Sequence, residues 1–369
     1  MASTMNATKR SNAGDAMSDA IGDMTSESAL YPWQQRDWAQ LQQMRERLPH
    51  AILLHGPEGT GKVAFAHAFA ASLLCESPQT TGEACGSCAS CGWFAQYSHP
   101  DFRRLRPDAL DAEEAEEAAE AAADEGGKKT SSKTPSKDIR IEQVRALASF
   151  MNVSTHRSGL RIVLLYPAEA LNSASANALL KTLEEPPPDT LFLLVTHRID
   201  RLLPTILSRC RKFAMATPDH ASALAWLQAE GVKDADRWLA EQGGAPLAAL
   251  AAAQGEAGAE RDELLALLAK PERALALIVA DRLQKAPLSQ LVAWLQRWLY
   301  DLTALKLGGR VRYFPHHQKS LAALSSRVTA EQLQQALKDA GARRAVADHP
   351  LSARLFIEDM LLAYAGLFR

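Results

Sequence analysis

The stretch AILLHGPEGTGKVAFAHAFAASLL, residues 51–74, decides the fold. It opens as a short apolar strand, turns through glycines, and then repeats Phe65, Phe69 and Leu73 every four residues, as on one face of a helix. Strand, glycine turn and helix in that order are the setting of a phosphate-binding loop, and Gly56-Pro57-Glu58-Gly59-Thr60-Gly61-Lys62 fits GxxxxGK. Backbone N–H groups of such a turn, with the helix N-terminus behind them, form a nest for phosphate oxygens that Lys62 would complete. The pattern then fails, because the next position should offer a hydroxyl to Mg²⁺ and Val63 has none. Gly56, Gly59, Gly61 and Lys62 are therefore candidates for binding ATP or ADP in a vestigial loop. The other reading is a loop kept only for its tight turn.

Outward from the loop, strands and helices alternate. DFRRLR (101–106), RIVLLY (161–166), LFLLVT (191–196) and RKFAMA (211–216) read as strands. YPWQ (31–34) opens a helix to about Leu48; IRIEQVRALASFMN (139–152) and NSASANALLKTLEE (172–185) are helices, the latter stopped by Pro186. The pattern predicts an α/β fold with a mostly parallel sheet and helices on both faces. No strand is predicted beyond Pro218, where LVAWLQRWLYDLTALKL (291–307) carries Trp294, Leu295, Trp298, Leu302 and Leu305 at helical spacing. The expected layout is a tail over 1–29, an α/β domain over 30–216, a small helical domain over 217–257 and a larger one over 258–369. Within the α/β domain, residues 108–137 join an acidic alanine-rich block to a basic polar one, with no apolar stripe to bury, and are expected to be a disordered insertion.

A phosphate-loop ATPase also needs a carboxylate for magnesium at the end of a second strand, usually beside a glutamate that activates water. Here RIVLL runs into Tyr166-Pro167-Ala168-Glu169. Phenol and proline stand where the acids belong, and Glu169 is the one nearby carboxylate left for a rescued catalytic base. With hydroxyl, metal ligand and base all missing, hydrolysis at this loop is not expected.

Cys75, Cys85, Cys88 and Cys91 are spaced C-x9-C-x2-C-x2-C. Two overlapping CxxC turns with a fourth thiol from a helix end suit a closed structural Zn²⁺ site. A disulfide pair and an iron–sulfur cluster are the alternatives, and His67 and His99 are competing ligands. Cys210 reads as a small buried apolar residue. The formal net charge of −2 argues against a surface built throughout for nucleic acid. The first thirty residues are acidic and lack a hydrophobic segment, so neither a secretory signal nor a transit peptide is read there; no apolar run is long enough to span a membrane. The expectation is a cytoplasmic protein with reduced thiols.

ALLKTLEEPP (178–187), LLVT (193–196), LLPTILSRC (202–210) and the inserted four-cysteine module together resemble the AAA+ subunits of the bacterial DNA polymerase III clamp loader, over nearly all of residues 31–369. YPW (31–33), HPD (99–101), Lys62-Val63 and Tyr166-Pro167 resemble its non-hydrolysing kind rather than its motor, which keeps a complete loop and an acidic pair. The resemblance implies that the two helical regions are a lid and an oligomerisation collar. It implies tau/gamma motor subunits and the delta subunit as partners, and through them the sliding clamp and primer-template DNA. It also makes Arg209 an arginine finger acting in trans on a neighbour's ATP, and it puts Thr196 at the sensor position. Alternatively, Arg209 caps a surface turn or pairs with a local acid. The rival functions are a catalytically active AAA+ motor and a zinc-module DNA-binding protein. The second fits poorly with the net charge and with the lack of a basic run beside Cys85–Cys91.

Overall fold

The computed structural model describes residues 30–112, 114, 135–151, 155, 159–255, 257–347 and 352–368. The tail over 1–29 and most of the 108–137 insertion lie outside the described residues. The chain divides into two compact units, one reaching Ser222 and the other running from Ala223.

In the first unit, β1 (Ala51–His55), β2 (Phe102–Leu105), β3 (Arg161–Leu165), β4 (Thr190–Thr196) and β5 (Arg211–Ala214) form one sheet in the order β2-β3-β4-β1-β5. Every pairing is parallel, with Ile52 opposite Leu193 and Ile162 opposite Leu191. Alternate strand residues face opposite ways, and both faces are apolar, as in a sheet covered on both sides. Ile52, Leu54, Ile162, Leu164, Leu193 and Val195 pack with α1 (Gln35–Gln43), α2 (Lys62–Leu74) and α3 (Ala89–Ala95). Leu53, Val163, Leu165, Phe192 and Leu194 pack with α4 (Ile141–Met151), α5 (Ser173–Glu184) and α6 (Pro204–Leu207). The predicted two-sided α/β layering is present, and Cys210 is buried in the second of these layers.

The order sets β4 between the loop strand β1 and the strand β3 that should carry acids. Three strand ends thus meet on one edge of the sheet, outside the carboxyl ends where ligands of such sheets collect. One expectation changes: residues 108–112 are helical rather than solvated coil, with Leu110 packed against the first core layer. The Asp111 carboxylate of this turn and that of Glu114 beyond it pair with the buried Arg106, just past β2.

The unit from Ala223 contains helices and no strand among its described residues. Ala223, Leu227, Ala235, Leu239 and Ala249 form a small cluster of their own. A larger core gathers Leu264, Leu291, Trp294, Leu295, Trp298, Leu302, Leu321 and Leu361. Trp298 sits inside it, its Nε1–H donating to the Tyr364 hydroxyl at 2.8 Å, which donates in turn to the Leu268 carbonyl at 2.7 Å. The buried Asp301 carboxylate accepts from the N–H groups of Arg312 (2.8 Å), Tyr313 (3.0 Å) and Phe314 (2.8 Å), pinning the loop after its helix. Among the described residues no helix is long and apolar enough to cross a membrane.

Candidate functional site

The glycine loop leaves β1 and enters α2. Gly56 has φ +156°, and a Cβ there would come within 2.2 Å of the Met215 carbonyl oxygen. Gly61 has φ +81°, and its Cβ would meet the Tyr31 ring at 2.7 Å. The two ends of the motif are thus glycine because neighbouring chain lies against them. YPWQ does more than begin a helix. Trp33 Nε1–H donates to the Thr60 carbonyl at 3.0 Å, and Gln34 Nε2 donates to Thr60 O at 3.1 Å and to Gly61 O at 2.9 Å. Gln34, almost wholly buried, is a loop-bracing residue the sequence reading missed. Its Oε1 also accepts from the Tyr31 N–H at 3.2 Å, and nothing in the sequence marks a glutamine at a helix start as buried.

Lys62 is only 1% exposed, and its ammonium donates to the Pro57 carbonyl of its own loop. Thr60 Oγ1 donates to the same oxygen at 3.0 Å. Val63 faces into the first core layer. At the end of β3, Tyr166 is buried in that layer too, edge-on to His67 at 5.9 Å, and its hydroxyl accepts from Arg106 Nη1 at 3.4 Å. Glu169 is held by the end of β4: Thr196 Oγ1 donates to its Oε2 at 2.6 Å and the His197 N–H to its Oε1 at 3.0 Å. The candidate base and the sensor-position hydroxyl therefore hold each other. Burial, with the Lys62 ammonium adding to it, pushes the His197 imidazole down to about 3.

The four cysteines are brought together, their sulfurs all within 4.8 Å of one another. Cys75 caps the C-terminus of α2 and Cys88 the N-terminus of α3. Backbone N–H groups point at the sulfurs: Cys85 N to Cys75 Sγ at 3.2 Å, Cys88 N to Cys85 Sγ at 3.4 Å, and Cys91 N to Cys88 Sγ at 3.4 Å. Such donors favour thiolates; those from Ser87 bring the Cys85 thiol down to about 6. All five cysteines are free thiols. The cluster can hold a metal ion. Neither histidine is placed to compete. His99 Nδ1 accepts from Asp101 N–H at 3.0 Å and its Nε2 meets Ser90 Oγ at 2.8 Å, while Ser90 Oγ donates to the Leu74 carbonyl at 2.6 Å. That chain ties the end of α2 to the turn carrying Cys91, a support the cysteine spacing could not reveal.

His67 is boxed by Phe94, Tyr97, Phe102 and Tyr166, and neither ring nitrogen has a partner among the described residues. Burial, with Arg104 and Arg106 nearby, pushes it from 6.5 down to about 3. The folded protein therefore keeps His67 neutral at pH values where the unfolded chain has taken up a proton. Stability should fall as pH drops from about 6.5 toward 3, by up to ~1.4 kcal/mol per pH unit for this group. His67→Phe, measured by urea unfolding at pH 7.5 and pH 5.0, is expected to lose about 2 kcal/mol less than the parent between those pH values. Equal losses in both proteins would refute this account.

Arg209 lies just past α6 on the opposite core layer's outer edge. Its Nη2 meets Glu184 Oε1 at 2.5 Å, and its Nη1 donates to the Thr205 carbonyl at 3.0 Å and to Ser208 Oγ at 3.2 Å. The side chain remains 32% exposed. In the chain by itself, then, the arginine pairs with a local acid; Glu184 was part of the ALLKTLEEPP signature but was not singled out.

The family described as DNA polymerase III, delta subunit, matches residues 33–219, just over half of the chain. The delta' subunit of DNA polymerase III from Pseudomonas aeruginosa is 42% identical over 224 residues, covering 60% of this chain and 60% of that protein. The delta' subunit from Escherichia coli is 34% identical over 244 residues, covering 65% of each. The chain thus matches a little under two thirds of the length of these relatives. A gamma subunit-related DNA polymerase III protein from Thermotoga maritima aligns over 90% of this chain and 99% of that one, at 16% identity and a TM-score of 0.42, too loose to argue from. On the match over 33–219, the chain belongs to the DNA polymerase III delta subunit family.

Proposed function

We propose that the chain serves as the delta-prime subunit of a bacterial clamp loader, completing a ring with tau/gamma motor subunits and the delta subunit without hydrolysing ATP itself. Through that ring it supports loading of the sliding clamp onto primer-template DNA. Arg209 is the arginine finger presented to the ATP of the neighbouring motor, and the helical regions 217–257 and 258–369 act as lid and oligomerisation collar.

One observation carries the reading: every group at the loop that hydrolysis would need is already committed elsewhere. Val63 and Tyr166 are core residues, Lys62 is bonded to its own loop, and Glu169 is held by Thr196 and His197. Magnesium has no carboxylate to coordinate at the end of β3, and water has no base. A guanidinium, by contrast, stays charged and can fork across phosphate oxygens wherever it meets them. The cysteines fit a structural zinc. A tetrahedral ion with Zn–S bonds of about 2.3 Å sets its sulfurs ~3.8 Å apart, and Cys75–Cys88 and Cys85–Cys91 are separated by 4.0 and 3.9 Å. An iron–sulfur cluster divides its four thiolates over two or more irons and needs a wider spread.

The direct test is ATP turnover by the purified chain alone with Mg²⁺. No product above background is expected. Steady turnover abolished by Lys62→Ala would favour the rival, an autonomous AAA+ motor.

A further inference from the structure

Glu184 is the last residue of α5, one residue short of the Glu185-Pro186 stop, and Arg209 follows α6. The two helices share the core of Leu179, Leu183, Leu202 and Ile206, so the carboxylate and the guanidinium are carried on one rigid support. Of the five N–H groups of Arg209, Nη1 directs two at Thr205 O and Ser208 Oγ, and Nη2 directs one at Glu184. Nε–H and one Nη2–H are left without a partner among the described residues. These donors sit on adjacent nitrogens, an arrangement suited to two oxygens of a phosphate.

We propose that Glu184 is a positioning residue that holds the Arg209 guanidinium ready, with two donors open, for the phosphate oxygens of a nucleotide on the neighbouring subunit. This rests on reading Arg209 as the finger. The opposite role, a latch that keeps the finger back, fits the geometry less well. A latch should occupy the donors that phosphate needs, whereas Glu184 takes a single one. A half-exposed ion pair is also too weak for a switch, since it biases a population by at most about fivefold. What such a pair can do is spare a long side chain part of its rotamer entropy before the phosphate arrives.

The test uses the clamp loader reconstituted from full-length subunits, with this chain carrying Glu184→Ala, Glu184→Gln, Arg209→Ala or the Glu184→Ala/Arg209→Ala pair, and ATP as the substrate. Glu184→Ala is expected to lower kcat at the one nucleotide site facing Arg209, read by single-turnover hydrolysis, by about threefold to fivefold, with KM for ATP unchanged. Glu184→Gln, whose amide oxygen still accepts the hydrogen bond, should recover most of the loss. Adding Glu184→Ala to Arg209→Ala should lower kcat no further. If Arg209→Ala collapses turnover while Glu184→Ala leaves it unchanged or raises it, the positioning role is wrong and the finger stands. If Glu184→Ala lowers kcat equally with Arg209 absent, its effect is general damage and the role is again wrong. If Arg209→Ala has no effect, the finger reading fails and the role of Glu184 fails with it.

Discussion

Arg209→Ala is expected to slow ATP hydrolysis at the one nucleotide site it faces in the assembled clamp loader by about 10³-fold or more, roughly 4–7 kcal/mol of barrier. Folding should be nearly untouched. Its contacts in the isolated chain are a part-exposed ion pair and two hydrogen bonds at the surface, and an exposed pair contributes about 1 kcal/mol at most. The asymmetry is the point: a residue worth little to its own fold would be worth several kcal/mol to a reaction next door. Arg209→Lys separates charge from shape. An ammonium keeps the cation but not the planar fork, so it should restore only a small part of the rate. The measurement is single-turnover hydrolysis by the reconstituted complex, with assembly checked by gel filtration. Full activity of an assembled complex carrying the alanine would remove Arg209 from the mechanism.

The second large effect concerns the cysteine module. Residues 75–91 contribute few apolar side chains to a core, and what holds their shape is the convergence of four sulfurs, three of them accepting from backbone N–H groups. Binding energy at such a site is folding energy, on the order of 10 kcal/mol for small structural zinc sites. Cys88→Ser removes one ligand and also the sulfur that caps α3. The variant is expected to purify without its stoichiometric metal and to lose amide-exchange protection across residues 75–101. The sheet, whose core is built from β1, β3 and β4, should keep its protection. Elemental analysis with hydrogen exchange under reducing conditions reads both effects. A parent protein that holds no tight metal, or a variant as protected as the parent, would contradict the structural-zinc assignment.

Most of the fold was legible because it is written locally. Continuous apolar runs such as RIVLL and LFLLV mark buried parallel strands, a glycine turn between strand and helix marks a phosphate loop, and CxxCxxC marks a metal turn. The order of strands was not legible, since β4 lies between β1 and β3 through register that no local pattern states. The same holds for side chains that meet across long separations. Glu169 reaches Thr196 over 27 residues, Gln34 reaches Gly61 over 27, and Arg209 reaches Glu184 over 25. In each case the sequence showed a polar residue and left its partner open. Thus the sequence offers Glu169 as a candidate base, and only the fold shows Thr196 and His197 donating to it. The helical turn at 108–112 was hidden differently: its acidic run looked solvated because Arg104 and Arg106, which neutralise it, lie in β2 and just past its end.

Two substitutions, one at each cation, separate chemistry on this chain from chemistry next door. The clamp loader is assembled with this subunit as Lys62→Ala or as Arg209→Ala, and DNA-stimulated ATP hydrolysis is measured for each against the parent. Loss of the loop's own cation should leave turnover within about twofold, while loss of Arg209 should abolish hydrolysis at the adjoining site. The reverse outcome, a complex crippled by Lys62→Ala and indifferent to Arg209→Ala, would mean that the chemistry takes place on this chain after all.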